Sequence, residues 1–186
     1  MRLLGKLRPL AVAAASTPGA RPLYTPSGDG VNPDNTYGTL VDASSFEQDW
    51  DETLAIAWLH DIIEDGRKMD GTKVREDDLR GLGISEPVVA DVLTLSQREG
   101  EDKPTYLNRV AEGSPRVKLV KVVDRICNLR EGKDTFKVAR WVRYITETQT
   151  YILPLVDGIE PCSLQTPLRT WLEDAIAQRP LPGTTQ

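Results

Sequence analysis

A chain of 186 residues, 39% hydrophobic and 27% charged, has the length of one domain and enough apolar material for a core without cross-links. Its net charge of -5 gives no general pull toward nucleic acid or acidic membranes. Two cysteines exclude a disulfide framework and a thiolate metal cluster, and no apolar run is long enough to span a bilayer.

In chain order, Met1 to Gly28 holds Arg2, Lys6, Arg8 and Arg21 and no acidic residue. "PLAVAAAS" has the small apolar residues of a leader, but it is short and broken at Pro9, so the expected location is the cytoplasm. "TPSGDGVNPDNTYG" is dense in turn formers. Residues 1–44 are therefore read as a poorly structured arm and loop, residues 45–180 as the domain, and residues 181–186 as a tail.

Asp49 and Glu52 have capping-box spacing and predict a helix running to about Asp65, with Gly66 just past its end. "GRKMDGTKVREDD" reads as loop, followed by a short helix around Asp77 to Arg80. Ser85, with Pro87 in the first turn, starts "EPVVADVLTLSQ", whose Val88, Val89, Val92, Leu93 and Leu95 form an apolar stripe. After the charged loop "REGEDK", "PTYLNRVAEG" is a short helix stopped by Gly113. Ser114 and Pro115 open "RVKLVKVVDRICNLREG". Its β-branched run looks strand-like, but the start signals and charge spacing favour helix. Asp134 is the expected cap of a long helix, "TFKVARWVRYITETQTYIL", ending near Pro154, and Thr166 with Pro167 starts the last, "LRTWLEDAIAQ". Nothing alternates with period two for long, so the expected fold class is all-α. Cys127 reads as a small buried side chain.

The end of the first predicted helix carries the sole histidine and three acids: His60, Asp61, Glu64 and Asp65. On a continuous helix His60 stacks on Glu64 and Asp61 on Asp65, in ladders about 100° apart. Acids in a last turn face unsatisfied carbonyls and cost about 0.3–1 kcal/mol each. A bound divalent cation reverses that sign, and imidazole with carboxylates suits zinc, manganese or iron. The plainer reading is a solvated helix end with a locally satisfied histidine.

A second cluster lies in "VKVVDRICN". Asp124 sits among Val120, Val123 and Cys127 and so faces at least partly inward, where an unpaired carboxylate costs several kcal/mol. Either Lys121 or Arg125 neutralises it locally, or it meets His60 and Asp61 across a helix–helix contact. Asn128 stacks one turn beyond it.

"HDIIED", then Leu93-Thr94, then "VKLVKVVDRICNL" together resemble the HD-domain metal-dependent phosphohydrolases over about residues 50 to 132. The nearest likeness is to the hydrolase domain of the bifunctional guanosine tetraphosphate enzymes and their small stand-alone relatives. The resemblance implies an HD-type helical bundle holding a divalent metal, manganese first, with zinc or iron as alternatives. It makes His60, Asp61 and Asp124 the metal ligands, and Glu64 and Asp65 the catalytic acidic pair. Asn128 matches the asparagine that helps hold the nucleotide, and Lys121 and Arg125 are candidate stabilisers of phosphoryl charge. The family's first histidine has no counterpart: the chain has no second histidine, and "AVAAASTPGARP" stands where its helix belongs. Asp29, Asp34 or Asp42 are candidate replacements. The implied activity is hydrolysis of a nucleotide phosphate or pyrophosphate ester, like that of a guanosine 3′,5′-bis(diphosphate) 3′-pyrophosphohydrolase. The alternative is a catalytically degenerate domain kept for nucleotide binding or interaction. The expected partner is a small nucleotide, with neither nucleic acid nor membrane. A weaker third reading is a helical scaffold whose "KVARWVRYITETQTYIL" segment packs on a partner, with Trp141 and Tyr144 marking the interface, although aromatic residues at helical spacing more often form core.

Overall fold

The computed structural model describes residues 43–179, with side chains from Trp50 onward. The expected arm and leader, Asp29, Asp34 and Asp42, the side chain of Asp49, and the tail lie outside the described residues. Those residues form an all-α fold: α1 Ala43–Leu59, α2 Ile62–Asp65, α3 Glu76–Gly81, α4 Glu86–Leu95, α5 Lys103–Ala111, α6 Pro115–Thr135, α7 Val138–Glu147 and α8 Gln165–Ala177. Among them no strand forms, only an isolated antiparallel bridge between Arg67 and Lys73. No helix among them is long and apolar enough to cross a membrane.

α6 is the axis, with α1, α4, α5 and α8 packed around it. Its start is fixed chemically. Ser114 Oγ accepts the Val117 N–H at 3.2 Å, and Pro115 occupies the first turn, where no donor is missed. These signals override the strand-like run. Val117, Val120, Val122, Val123, Ile126 and Leu129 are all buried, so the helix has apolar contacts around most of its girth. Each such side chain contributes about 1.5–3 kcal/mol by leaving water. Cys127 joins this core, as expected.

α4 begins after Ser85 with Pro87 in its first turn, as its sequence predicts, although the Ser85 side chain makes no cap bond. Val88, Val89, Val92 and Leu95 are buried; Leu93 is half-buried.

Four boundaries differ from expectation. Asp49 does not open the first helix, because the chain is already helical from Ala43. That helix does not reach Asp65 either: it stops at Leu59, turns through His60 and Asp61, and resumes as the single turn α2. Gly66 ends α2 with φ -65 and ψ 140, an extended conformation, not the left-handed cap expected of it. Glycine is required there for space, since a Cβ would lie 2.2 Å from the Ile62 carbonyl oxygen.

The third difference is at Asp134, which lies inside α6; Lys137 caps α7 instead. α6 passes through Gly132 because the Phe136 ring lies flush against it, 2.8 Å from where a Cβ would be. The long helix expected to end near Pro154 changes pitch at Thr148–Ile152, a π-helical turn, and becomes 3₁₀ over Leu153–Gly158. The π turn begins where Arg125 donates to Thr148 Oγ at 3.2 Å, and Thr148 Oγ donates to the Tyr144 carbonyl at 2.7 Å. The Tyr144 carbonyl there still accepts the Thr148 N–H, so the guanidinium contacts the start of the π turn without breaking the backbone ladder. Trp141 is fully buried, and its indole N–H donates to the Arg179 carbonyl at 2.9 Å. It is core rather than partner-facing surface.

Candidate metal and nucleotide site

The break between α1 and α2 presents His60 and Asp61 to α6. His60 Nδ1 donates to the Ala57 carbonyl at 2.8 Å. A carbonyl only accepts, so a proton belongs on Nδ1, which leaves Nε2 to face the Asp61 and Asp124 carboxylates. His60 Nε2 lies 2.9 Å from Asp61 Oδ2 and 3.9 Å from Asp124 Oδ1. Asp61 occupies the cap position of α2 but makes no side-chain cap bond. Its backbone carbonyl holds the Asp65 N–H at 2.9 Å, while its carboxylate turns to the imidazole.

This geometry corrects two expectations. The stacking of His60 on Glu64 expected of a continuous helix is interrupted after Leu59, whereas Asp61 and Asp65 stay one helical turn apart, joined by the Asp65 N–H to the Asp61 carbonyl. The penalty for acids at a helix end also lapses, because α2 is one turn long and has too few aligned peptides to build a macrodipole.

Asp124 is 15% exposed and held on both oxygens. Oδ1 accepts from Asn128 Nδ2 at 2.8 Å, and Oδ2 accepts from Lys121 Nζ at 3.3 Å. Burial works against the Lys121 ammonium, but the Asp124 carboxylate and the Tyr106 hydroxyl outweigh it and hold its pKa above the ordinary lysine value. Burial likewise works against a charged His60. The hydrogen bond and charge of Asp61, the Ala57 carbonyl and the charge of Asp124 more than compensate, so its pKa lies above the usual 6.5. Asp61 is held below the ordinary aspartate value, chiefly by its hydrogen bond to His60.

Among the described residues, no three imidazole, thiolate or carboxylate groups are arranged to hold a metal ion as they stand. The donor chemistry nonetheless suits one. Nε2 faces two carboxylate oxygens, and a bare lone pair there is repelled, so the position calls for a proton or a cation. The Nδ1 bond to a backbone carbonyl is the outer contact that orients metal-binding imidazoles. Asp61 is 64% exposed and reaches the cluster from its solvent side.

The remaining predicted site residues divide. Glu64 Oε1 accepts the Gln97 N–H at 2.6 Å, which ties α2 to the loop after α4. Asp65 is exposed. Arg125 turns away from Asp124: its 3% exposed side chain pairs with Glu147, reaches Thr148 and stacks on the Tyr144 ring at 3.9 Å. The structure therefore gives Arg125 an ion-pair role inside the fold and does not bring it to the His60 cluster.

Sequence reasoning missed Gln97, Lys103 and Tyr106. Lys103 Nζ and Lys121 Nζ lie 4.9 and 5.4 Å from the Tyr106 ring centre, and Lys103 donates to Gln97 Oε1 at 3.1 Å. Burial, then the charge of Lys121, pushes the Lys103 ammonium below the ordinary lysine value. Only the Gln97 backbone touches Glu64, so no side-chain pattern signalled that contact. No family model matches the chain, and no curated protein matches it.

Proposed function

We propose that the chain is a metal-dependent phosphohydrolase acting on a nucleotide phosphate or pyrophosphate ester, with guanosine 3′,5′-bis(diphosphate) as the first substrate to test. The observation that carries this reading is the approach of His60, in the turn between α1 and α2, to Asp124 on α6, far apart in sequence, at 3.9 Å with Asp61 beside them. His60, Asp61 and Asp124 are the residues to hold the ion. When bound, a divalent metal supplies a lowered pKa for water and polarises a phosphoryl oxygen. Glu64, anchored through one oxygen to Gln97, keeps the other to orient the attacking water and take its proton. Lys121 places a positive charge beside Asp124, where phosphoryl charge grows during the reaction. Asn128 holds Asp124 and offers its amide to the nucleotide.

A second reading has an observation of its own. With Lys121 and Asn128 satisfying Asp124, and Asp61 satisfying His60, the cluster is neutralised without any ion. That arrangement suits a degenerate domain that binds nucleotide and does not turn it over.

Purified protein incubated with Mn²⁺ and desalted is expected to retain metal and to release pyrophosphate from guanosine 3′,5′-bis(diphosphate). Asp124→Asn, which leaves the Asn128 contact in reach, loses both. Nucleotide binding with no metal retained and no turnover selects the second reading.

A further inference from the structure

The loop of residues 96–102 between α4 and α5 is built around one guanidinium. Arg109 Nη1 donates to the carbonyls of Leu93 at 3.0 Å and Thr94 at 2.9 Å. Its Nη2 donates to the Ser96 carbonyl at 2.9 Å and to Glu101 Oε2 at 2.7 Å, and its Nε to Glu101 Oε1 at 3.1 Å. One side chain thus serves carbonyls at the open end of α4 and grips a carboxylate with two parallel bonds.

Glu101 passes the grip on. Its Oε2 accepts the Arg98 N–H at 2.9 Å, and its carbonyl accepts from Gln97 Nε2 at 2.7 Å. The Arg109 fork, then the Arg98 N–H, pulls the Glu101 carboxyl down to about 2. Its side chain is 8% exposed, and that of Arg109 19%. From this clasped loop the Gln97 N–H points out and donates to Glu64 Oε1 at 2.6 Å. Glu64 itself stands on α2, a single turn with little stiffness of its own.

We propose that Arg109 and Glu101 are positioning residues, whose clasp fixes the Gln97 amide and through it the Glu64 carboxylate beside the His60–Asp61 edge. The link is mechanical and stands on geometry; its effect on turnover rests on the hydrolase reading. No pattern in the sequence marks Arg109, because its partners are mostly backbone carbonyls.

The test follows amide hydrogen exchange in the full chain together with kinetics. Arg109→Met is expected to speed exchange at the Gln97 amide at least tenfold while Val122 and Val123 in α6 stay slow. Glu101→Gln, which preserves shape, does the same and decides the matter if the arginine variant unfolds. With Mn²⁺ and guanosine 3′,5′-bis(diphosphate), both variants lower kcat at least tenfold with KM within twofold. In a Glu64→Gln background they cause no further loss. Unchanged exchange at Gln97 in both variants overturns the proposal, as do losses that multiply with that of Glu64→Gln. A wild-type protein with no turnover sinks the hydrolase reading alone, and the exchange measurement still decides the clasp.

Discussion

His60 is the residue on which the site turns, and its surroundings set two competing occupants for one nitrogen. In the absence of metal, the Asp61 and Asp124 carboxylates favour a proton on Nε2. Its pKa in the folded chain exceeds the ordinary 6.5 despite burial. The resulting stabilisation is complete below the unfolded value and is lost as pH rises through the folded one. On the hydrolase reading proposed above, a metal ion would take the same lone pair and displace the proton. Because His60 is the sole imidazole in the chain, its NMR titration is unambiguous. The midpoint is expected above 6.5 without metal and below it with excess Zn²⁺, a d¹⁰ ion without the paramagnetism of manganese. A metal-free midpoint at or below 6.5 removes the charged-imidazole account.

At the scale of elements, the decisive feature is the interruption between α1 and α2. Periodicity and capping signals made most helices readable: Ser114 and Pro115 for α6, Ser85 and Pro87 for α4, Thr166 and Pro167 near the start of α8. The sequence left Asp124 open between a local pair with Lys121 or Arg125 and a meeting with His60 and Asp61; the structure shows the Lys121 pair at 3.3 Å and His60 Nε2 at 3.9 Å. The break at His60–Asp61 was not readable, because the apolar spacing continues through Ile62 with no glycine or proline to mark a stop. The sequence left Arg125 open between an ion pair and a phosphoryl contact; the structure shows an ion pair, whose partners Glu147 and Thr148 were not readable because they lie on an element distant in sequence. Gly66 is the tightest backbone position of this region. Gly66→Ala places a methyl against the Ile62 carbonyl and is expected to cost about 1–3 kcal/mol in urea unfolding. Gly81→Ala, at the open end of α3, meets nothing and serves as the control, with a change from zero to a gain of about 1 kcal/mol. Equal costs at both positions contradict the close-approach argument.

For the molecule as a whole, α6 joins the His60 cluster to the C-terminal half. Asp124 serves the cluster, while the next residue, Arg125, pins Glu147 and the π turn. Breaking that buried pair leaves Glu147 without its countercharge. Arg125→Met is therefore expected to lower unfolding free energy by about 3 kcal/mol, and pairing it with Glu147→Met to recover part of the loss. A single-variant cost below about 1 kcal/mol shows that the pair is not what fastens the two halves. The bond from His60 Nδ1 to Ala57 has a final consequence. It makes the imidazole a rigid pointer on α1, while Asp124 is a fixed mark on α6. The gap between pointer and mark therefore reads out the spacing of the two helices like a caliper: whatever wedges them apart opens the jaws, and whatever draws them together closes them.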